Sequence, residues 1–379
     1  MLRVLIAPDK FKGTLCAADA ARAIAKGWRQ ARPKDALQLM PITDGGDGFG
    51  QVMASLLMAK PRRILTIDAA HRPCKSTWWF EPKTKTAILE SARVVGLAML
   101  PPQKFHPFEL DTFGLGAVVC AAREAGARHC LIGIGGSATN DGGFGLARSL
   151  GWQFVDSKNR SIECWTDLSR LARILPPKSR KWFNSIRVAV DVQNPLLGAK
   201  GATRIYGPQK GLRPLDFSCA ESCLERLSKV CAVQFEPKFA KAKGAGAAGG
   251  LGFGLMTFLN ARLEPGFDSL ARLASIDKRL ASADLVITGE GAIDATTFMG
   301  KATGQLAQRC RKLNIPCLAL AGVMHKTAQT RTNFFQSCAL SELTSVRQAQ
   351  SKAAFWLQRL ACLAATDLNP KACSPKKPS

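Results

Sequence analysis

Five short polar stretches hold most of the side chains in this chain that could handle a charged ligand. They are Asp9-Lys10, Thr43-Asp44, Ser137-Ala-Thr-Asn-Asp141, Asp191-Val-Gln-Asn194 and Thr288-Gly-Glu-Gly-Ala-Ile-Asp294. Moving a phosphoryl group requires cations on the travelling oxygens, carboxylates for a metal, and a base for the attacking hydroxyl. Lys10, Lys12, Lys210 and Lys301 are candidate cations; Asp44, Asp141, Asp191, Glu290 and Asp294 are candidate carboxylates. Any one stretch is also ordinary turn or helix-cap chemistry, because Asp, Asn, Gly and Thr build both. All of them together, each at the end of an apolar run, point to one composite site.

Gly133-Ile-Gly135-Gly136-Ser-Ala138 matches the dinucleotide fingerprint, with Asp156 about twenty residues on where an acidic residue would bind a ribose. The match fails mechanically. A dinucleotide loop turns straight into its helix, whereas Gly142 and Gly143 would fall inside the first turn, and helix-forming sequence starts only near Phe144. The long polar loop reads instead as a cradle of backbone amides with Ser137, Thr139 and Asn140 assisting, suited to phosphate. No G-x-x-x-x-G-K-[ST] loop, kinase catalytic loop or G-x-S-x-G elbow occurs, and the four histidines have no matched partners. Two more stretches are demanding. Gly207-Pro-Gln209-Lys210-Gly211 is expected to form a turn presenting Gln209 and Lys210 together. Gly244 to Gly252 nearly lacks side chains, which suits close approach by a ligand or by another backbone.

These loops must hang on a frame. Apolar runs at residues 2–7, 37–42, 62–68, 75–80, 86–90, 129–134, 186–192, 283–288 and 316–321 read as strands, separated by helical patterns at 17–31, 49–58 and 116–125. That alternation gives an α/β chain with a largely parallel sheet, in which ligands sit beyond the strands' carboxyl ends. Ser157 to Arg180 shows no sheet pattern. Ala349 to Thr366 reads as a terminal docking helix, and the tail from Asp367 to Ser379 is expected to fray.

Composition narrows the class. A chain of 379 residues with 46% hydrophobic content can bury a sizeable core, which excludes intrinsic disorder. No stretch reads as a membrane span or signal peptide, so a cytoplasmic protein without membrane partners is expected. The 13 cysteines are scattered and odd in number, and no CxxC occurs; reduced, structural thiols are expected. The net charge of +25 raises nucleic-acid binding, but the cations are dispersed (Arg22, Lys26, Arg29, Arg32; Lys178, Arg180, Lys181) and there is a single Tyr. Such a surface suits anionic small molecules, with no nucleic-acid partner.

At this point the segments IAPDKFKGTL (Ile6 to Leu15), DGGDG (Asp44 to Gly48), IGIGGSATNDGG (Ile132 to Gly143), DVQNPLLG (Asp191 to Gly198), GPQKG, GAGAAGGLG and ITGEG (Ile287 to Gly291) acquire a common meaning. In this order, over nearly the whole chain, they resemble bacterial type I glycerate kinases. The resemblance implies ATP-dependent phosphorylation of glycerate, commonly at the 2-hydroxyl, with Mg²⁺. It implies two α/β domains with largely parallel sheets, one Rossmann- or flavodoxin-like, and the active site in the cleft between them. One domain (1–68 with 283–379) would come from both chain ends and the other (69–282) would be inserted.

Within that reading Asp191 is the first candidate base and Asp294 the second, with Lys10 and Lys12 neutralising phosphate or carboxylate charge. Gly135, Gly136, Ser137, Thr139, Asn140, Asn194, Gln209, Lys210, Glu290 and Lys301 would bind substrate or phosphate, and Asp44 and Asp141 the metal. The chain departs from the family pattern at Ala292, which stands for an arginine, at Leu115, which stands for a threonine, and at Val94-Val95. A kinase for another small hydroxy acid and a phosphate-ligand binding protein without turnover stay open as alternatives. A homodimer is compatible with the sequence and not demanded by it.

Overall fold

A computed structural model describes residues 1–369 apart from Glu236 and Lys326; the end of the basic tail, expected to fray, lies outside the described residues. The strands in chain order are β1 (Arg3–Ile6), β2 (Ala36–Leu39), β3 (Lys60–Ile67), β4 (Pro73–Glu81), β5 (Thr86–Glu90), β6 (His129–Gly133) and β7 (Gln153–Asp156). They continue with β8 (Leu171–Leu175), β9 (Ser185–Val190), β10 (Arg262–Pro265), β11 (Leu285–Ile293), β12 (Cys317–Met324) and β13 (Gln336–Ala339).

The chain divides into two compact units. A terminal unit comprises Met1–Asp44 with the chain from Phe267 onward, and a middle unit comprises Gly45–Gly266. These boundaries differ from those drawn from the sequence, for two reasons. Residues 60–67 pair along their whole length with β4 of the middle unit. At the other junction Arg309 stacks over Phe267 and pairs with Asp268 and Asp277, which ties residues 267–277 to the terminal unit.

In the terminal unit all five strands are parallel, in the order β13-β12-β11-β1-β2. Counted within this unit alone the order is 2-1-3-4-5, the flavodoxin-like arrangement, whose switch point lies between β1 and β11. The apolar runs that predicted β1, β11 and β12 are the buried centre of this sheet. Helix Ala17–Ala31 covers one face through Ala20, Ala21, Ile24 and Trp28. It packs on helix Ala353–Asp367, which buries Leu357, Leu360 and Ala364. The expected terminal helix is thus two: a separate helix Val346–Ser351 ends at Lys352, where the backbone leaves helical geometry.

The middle unit has a six-stranded sheet in the order β10-β9-β6-β5-β4-β3. Strands β5, β6, β9 and β10 are parallel, while β3-β4 and β4-β5 are antiparallel. Between β6 and β9 the segment expected to lack sheet contributes β8, which pairs antiparallel with β7 as a short two-stranded ribbon. Its packing partner is helix Phe217–Gln234. Every cysteine among the described residues is a free thiol. Among them no helix is long and apolar enough to cross a membrane.

Candidate active site

At the switch point of the terminal unit, three neighbouring strands deliver an acid each. Ala7 N–H donates to Ile287 O (2.7 Å), Asp9 N–H to Gly289 O (2.8 Å) and Ile42 N–H to Pro8 O (3.0 Å), so the chain stays in register past the ends of β1 and β2, alongside the longer β11. The acids at this level are Glu290, within β11, Asp9 and, after Thr43, Asp44. All three are buried, at 8%, 6% and 9% exposure. Burial and the charge of Asp44 push the Asp9 carboxyl well above the ordinary range, against the opposing pull of Lys10. Burial also raises Glu290, whose Oε1 accepts from Thr297 Oγ1 (2.9 Å) and whose Oε2 lies 3.3 Å from Lys301 Nζ. Crowded acids of this kind suit a cation. Mg²⁺ takes hard oxygen ligands and commonly only one or two carboxylates, the remainder coming from phosphates and water. Among the described residues no group of three or more His, Cys, Asp and Glu side chains is placed to hold a metal ion.

Three other predicted residues, Asp294, Lys12 and Lys10, belong to this unit. Asp294 accepts hydrogen bonds from Thr296 N–H (2.7 Å) and Oγ1 (2.6 Å), capping the short helix Ala295–Met299. The Thr296 hydroxyl, outweighing partial burial, holds its carboxyl below the ordinary value, so it serves as a cap and is poorly suited as a base. Lys12 is exposed in the turn that joins Phe11 to Leu15. Lys10 is half-buried, with its N–H on Asp9 Oδ1 (2.7 Å).

In the middle unit the loop after β6 is held almost entirely by itself and its supports. Gly135 and Gly136 are its accessible part. Ser137, Thr139, Asn140 and Asp141 are buried. Ser137 Oγ and Thr139 Oγ1 bond each other (2.9 Å), and Asn140 Nδ2 donates to Thr203 Oγ1 (3.1 Å). These side chains therefore shape the loop through bonds to one another and to its supports. Asp141 anchors the loop as well. It accepts from Thr112 N–H (3.0 Å) and Oγ1 (2.7 Å), Gly143 N–H (3.2 Å) and Gly145 N–H (2.9 Å), which engages both oxygens in a fully buried place.

The glycine-rich stretch at 244–252 explains itself here. Ala248, Gly249 and Gly250 form a left-handed turn (φ +55°, +68°, +87°) set against the loop. Gly142 N–H donates to Gly249 O (3.0 Å), and a Cβ on Gly249 would lie 1.9 Å from Thr139 O. The close approach is by another backbone. Gly142 and Gly143 are themselves left-handed, and the following helix runs only over Phe144–Ser149, as the mechanical objection to a dinucleotide site requires.

Gly207 to Gly211 is the end of helix Ala202–Lys210 rather than a turn, so Gln209 is exposed while Lys210 is buried. Beyond β9, Asp191 is exposed and Asn194 half-buried; Asn194 Oδ1 accepts from Tyr206 Oη (2.5 Å). Three supports escaped the sequence reading. Asp9 stood beside Lys10 without a role. Glu90 closed a strand and in fact accepts from Gly48 N–H (2.8 Å) and Gly50 N–H (2.9 Å), fixing the DGGDG turn. Thr203 had no local signal. The departures Val94 and Leu115 are buried together around a cavity of about 20 Å³, and Ala292 is exposed on β11.

The family model for the glycerate kinase family matches residues 4–368. The chain is 34% identical over 326 residues to a glycerate 2-kinase of Escherichia coli, covering 85% of each chain. It is 35% identical over 324 residues to a glycerate kinase of Bacillus subtilis, again covering 85% of each. Its fold is similar to the crystal structure of a protein assigned as glycerate kinase 2 from Salmonella typhimurium LT2. The TM-score is 0.82 at 31% identity, with 96% of this chain and 97% of that one covered.

Proposed function

The chain belongs to the glycerate kinase family, and from that premise we propose that it transfers the γ-phosphoryl group of ATP to the 2-hydroxyl of glycerate, giving 2-phosphoglycerate and ADP. The observation that carries this reading is the row of buried acids Asp9, Asp44 and Glu290, accompanied by Lys10 and Lys301, at the switch point of a parallel sheet.

Asp44, with Asp9 beside it, would hold Mg²⁺, which supplies charge neutralisation on the phosphate oxygens when bound. Lys10 and Lys12 neutralise phosphate or glycerate carboxylate charge, and Lys301, fixed by Glu290, points a further cation the same way. In the middle unit the backbone amide of the exposed Gly136 receives a phosphate oxygen, while the Gly135 N–H donates to Gly45 O (3.3 Å). Asp191 takes the proton of the 2-hydroxyl as that oxygen attacks phosphorus and the ADP oxygen departs, with Asn194 orienting the acceptor.

The primary test is glycerate-dependent ADP release by the purified chain, with NMR of the product to locate the phosphate. A product phosphorylated at the 3-position removes the regiochemical assignment, and preference for a different hydroxy acid in a substrate panel removes glycerate. Asp191→Asn should lower turnover by at least about 10²-fold if Asp191 is the base. Near-normal turnover in that variant eliminates the assignment.

A further inference from the structure

Lys210 is the last residue of helix Ala202–Lys210, and its side chain runs inward to 7% exposure. Nζ donates to the Thr139 carbonyl oxygen at 2.7 Å, its one recorded hydrogen bond. No carboxylate among the described residues forms an ion pair with it. Such burial is costly for a cation, because desolvation is not repaid by a counter-charge.

The surroundings do not repay it either. Helix Ala247–Leu259, packed against Lys210's helix, brings no titratable residue. From helix Phe217–Gln234, Glu221 accepts from Gly198 N–H, Glu225 pairs with Lys229, Arg226 donates to Leu171 O and the Cys223 thiol to Thr166 O. Cys219 is exposed and Cys231 buried as a neutral thiol. On Lys210's own helix Arg204 stacks over Phe217 and Tyr206 bonds Asn194, while nearby Asp216 pairs with Arg213 and His106. Asp141, on the loop itself, favours the charged amine, but its oxygens already serve four donors. Burial brings the amine down to about 7, with Asp141 opposing.

The group that Nζ grips is the middle of the loop. Thr139 lies between the Ser137 hydroxyl it bonds and Asn140, whose Oδ1 is buried without a partner. A negative charge about 10 Å away, at an effective dielectric near 20, shifts a protonation equilibrium by about tenfold, and a triphosphate carries several charges.

We infer that Lys210 is a positioning residue that holds the Thr139 carbonyl, and that an anionic substrate bound at the 135–143 loop is bound together with a proton taken up at this amine. The inference rests on the kinase reading above, which places phosphate at that loop.

Calorimetric titration of the full chain with ATP at pH 8, in two buffers of different ionisation enthalpy, tests it. At that pH the terminal phosphate is already deprotonated, its last ionisation lying near 6–7. The wild type should take up close to one proton per ATP, and Lys210→Met should bind ATP with none. Wild-type affinity should also fall towards tenfold per pH unit between about pH 8 and 9.5, as one-proton linkage demands. A binding heat independent of buffer, or the same uptake in Lys210→Met, overturns the inference and leaves the kinase reading intact. If the variant does not fold, the wild-type profile decides alone: affinity that is flat with pH sinks the proposal. No ATP binding at any pH overturns the kinase reading and this inference with it. A purely structural lysine would change stability without changing the proton count.

Discussion

The acid row of the terminal unit and the loop of the middle unit are both buried and polar, and in both burial and a neighbouring carboxylate hold an acid above its ordinary range, yet they differ in how their acids are hydrogen-bonded. In the loop, donors and acceptors meet one another: Asp141 serves four donors, Ser137 and Thr139 share a bond, and Thr203 receives Asn140. In the row, like charges are held together, and Asp9 and Glu290 are displaced above their ordinary range by burial and by Asp44. One region uses its polar groups to fix a shape. The other stores unfavourable electrostatics that a bound cation would relieve. Polarity and burial alone therefore do not distinguish a scaffold from a reactive site; the balance of donors, acceptors and charges does.

This contrast predicts opposite signs for removing an acid. Asp141→Ala should have the largest effect, because it leaves the buried Thr112 N–H and O–H and the Gly143 and Gly145 N–H groups without an acceptor. At about 1–3 kcal/mol for an unsatisfied buried group, a loss of roughly 3 kcal/mol or more is expected in urea unfolding. A loss under about 1 kcal/mol would mean that the loop does not depend on this carboxylate.

Asp9→Asn should do the reverse, raising stability at neutral pH by about 1 kcal/mol, or roughly 2–4 °C in Tm, while depressing turnover. The sign follows from linkage. The folded value lies above the ordinary 3.8, so the native state binds the proton more tightly than the unfolded chain. The penalty on the wild type is complete above the folded value and disappears as pH falls to the ordinary one. The advantage of Asp9→Asn should therefore shrink in acid, and an advantage that grows there would refute the electrostatic account.

The smallest change sharpens the comparison from the backbone side. Ala248 holds φ +55° within the left-handed turn that supports the loop, a conformation that favours glycine. Ala248→Gly should raise stability by about 0.5–1 kcal/mol by thermal melting and leave turnover unchanged. Destabilisation would show that the alanine methyl packs usefully where it stands.

Much of the frame was legible because strands in the core of a parallel sheet are continuous apolar runs, and their polar ends announce themselves. Asp44, Glu290 and the loop after β6 were singled out in this way, and Gly142 and Gly143, read as breaking the first helical turn, are left-handed ahead of a helix that starts at Phe144. What stayed hidden depends on distant partners. Nothing local to Asp9 reveals Asp44 or Glu290, and nothing local to Asp141 reveals Thr112. Gln209 and Lys210 were misread because Pro208 suggested a turn, whereas the chain continues helically and places consecutive residues on different faces. The β7–β8 ribbon was missed because its two short strands pair only with each other, outside the parallel sheet whose buried apolar runs announce themselves.

The pairing of Val4 with Leu285 across β1 and β11 has a consequence for biosynthesis. A ribosome working at about 5–20 residues per second exposes β1 and then takes tens of seconds to deliver the strand that must lie beside it. Throughout that delay the middle unit, contiguous from Gly45 to Gly266, is free to form first, while the first forty-four residues wait as an incomplete half of a sheet. Nascent chains stalled before Leu285 should therefore be the form most dependent on chaperones, with the amino-terminal segment as the part they hold.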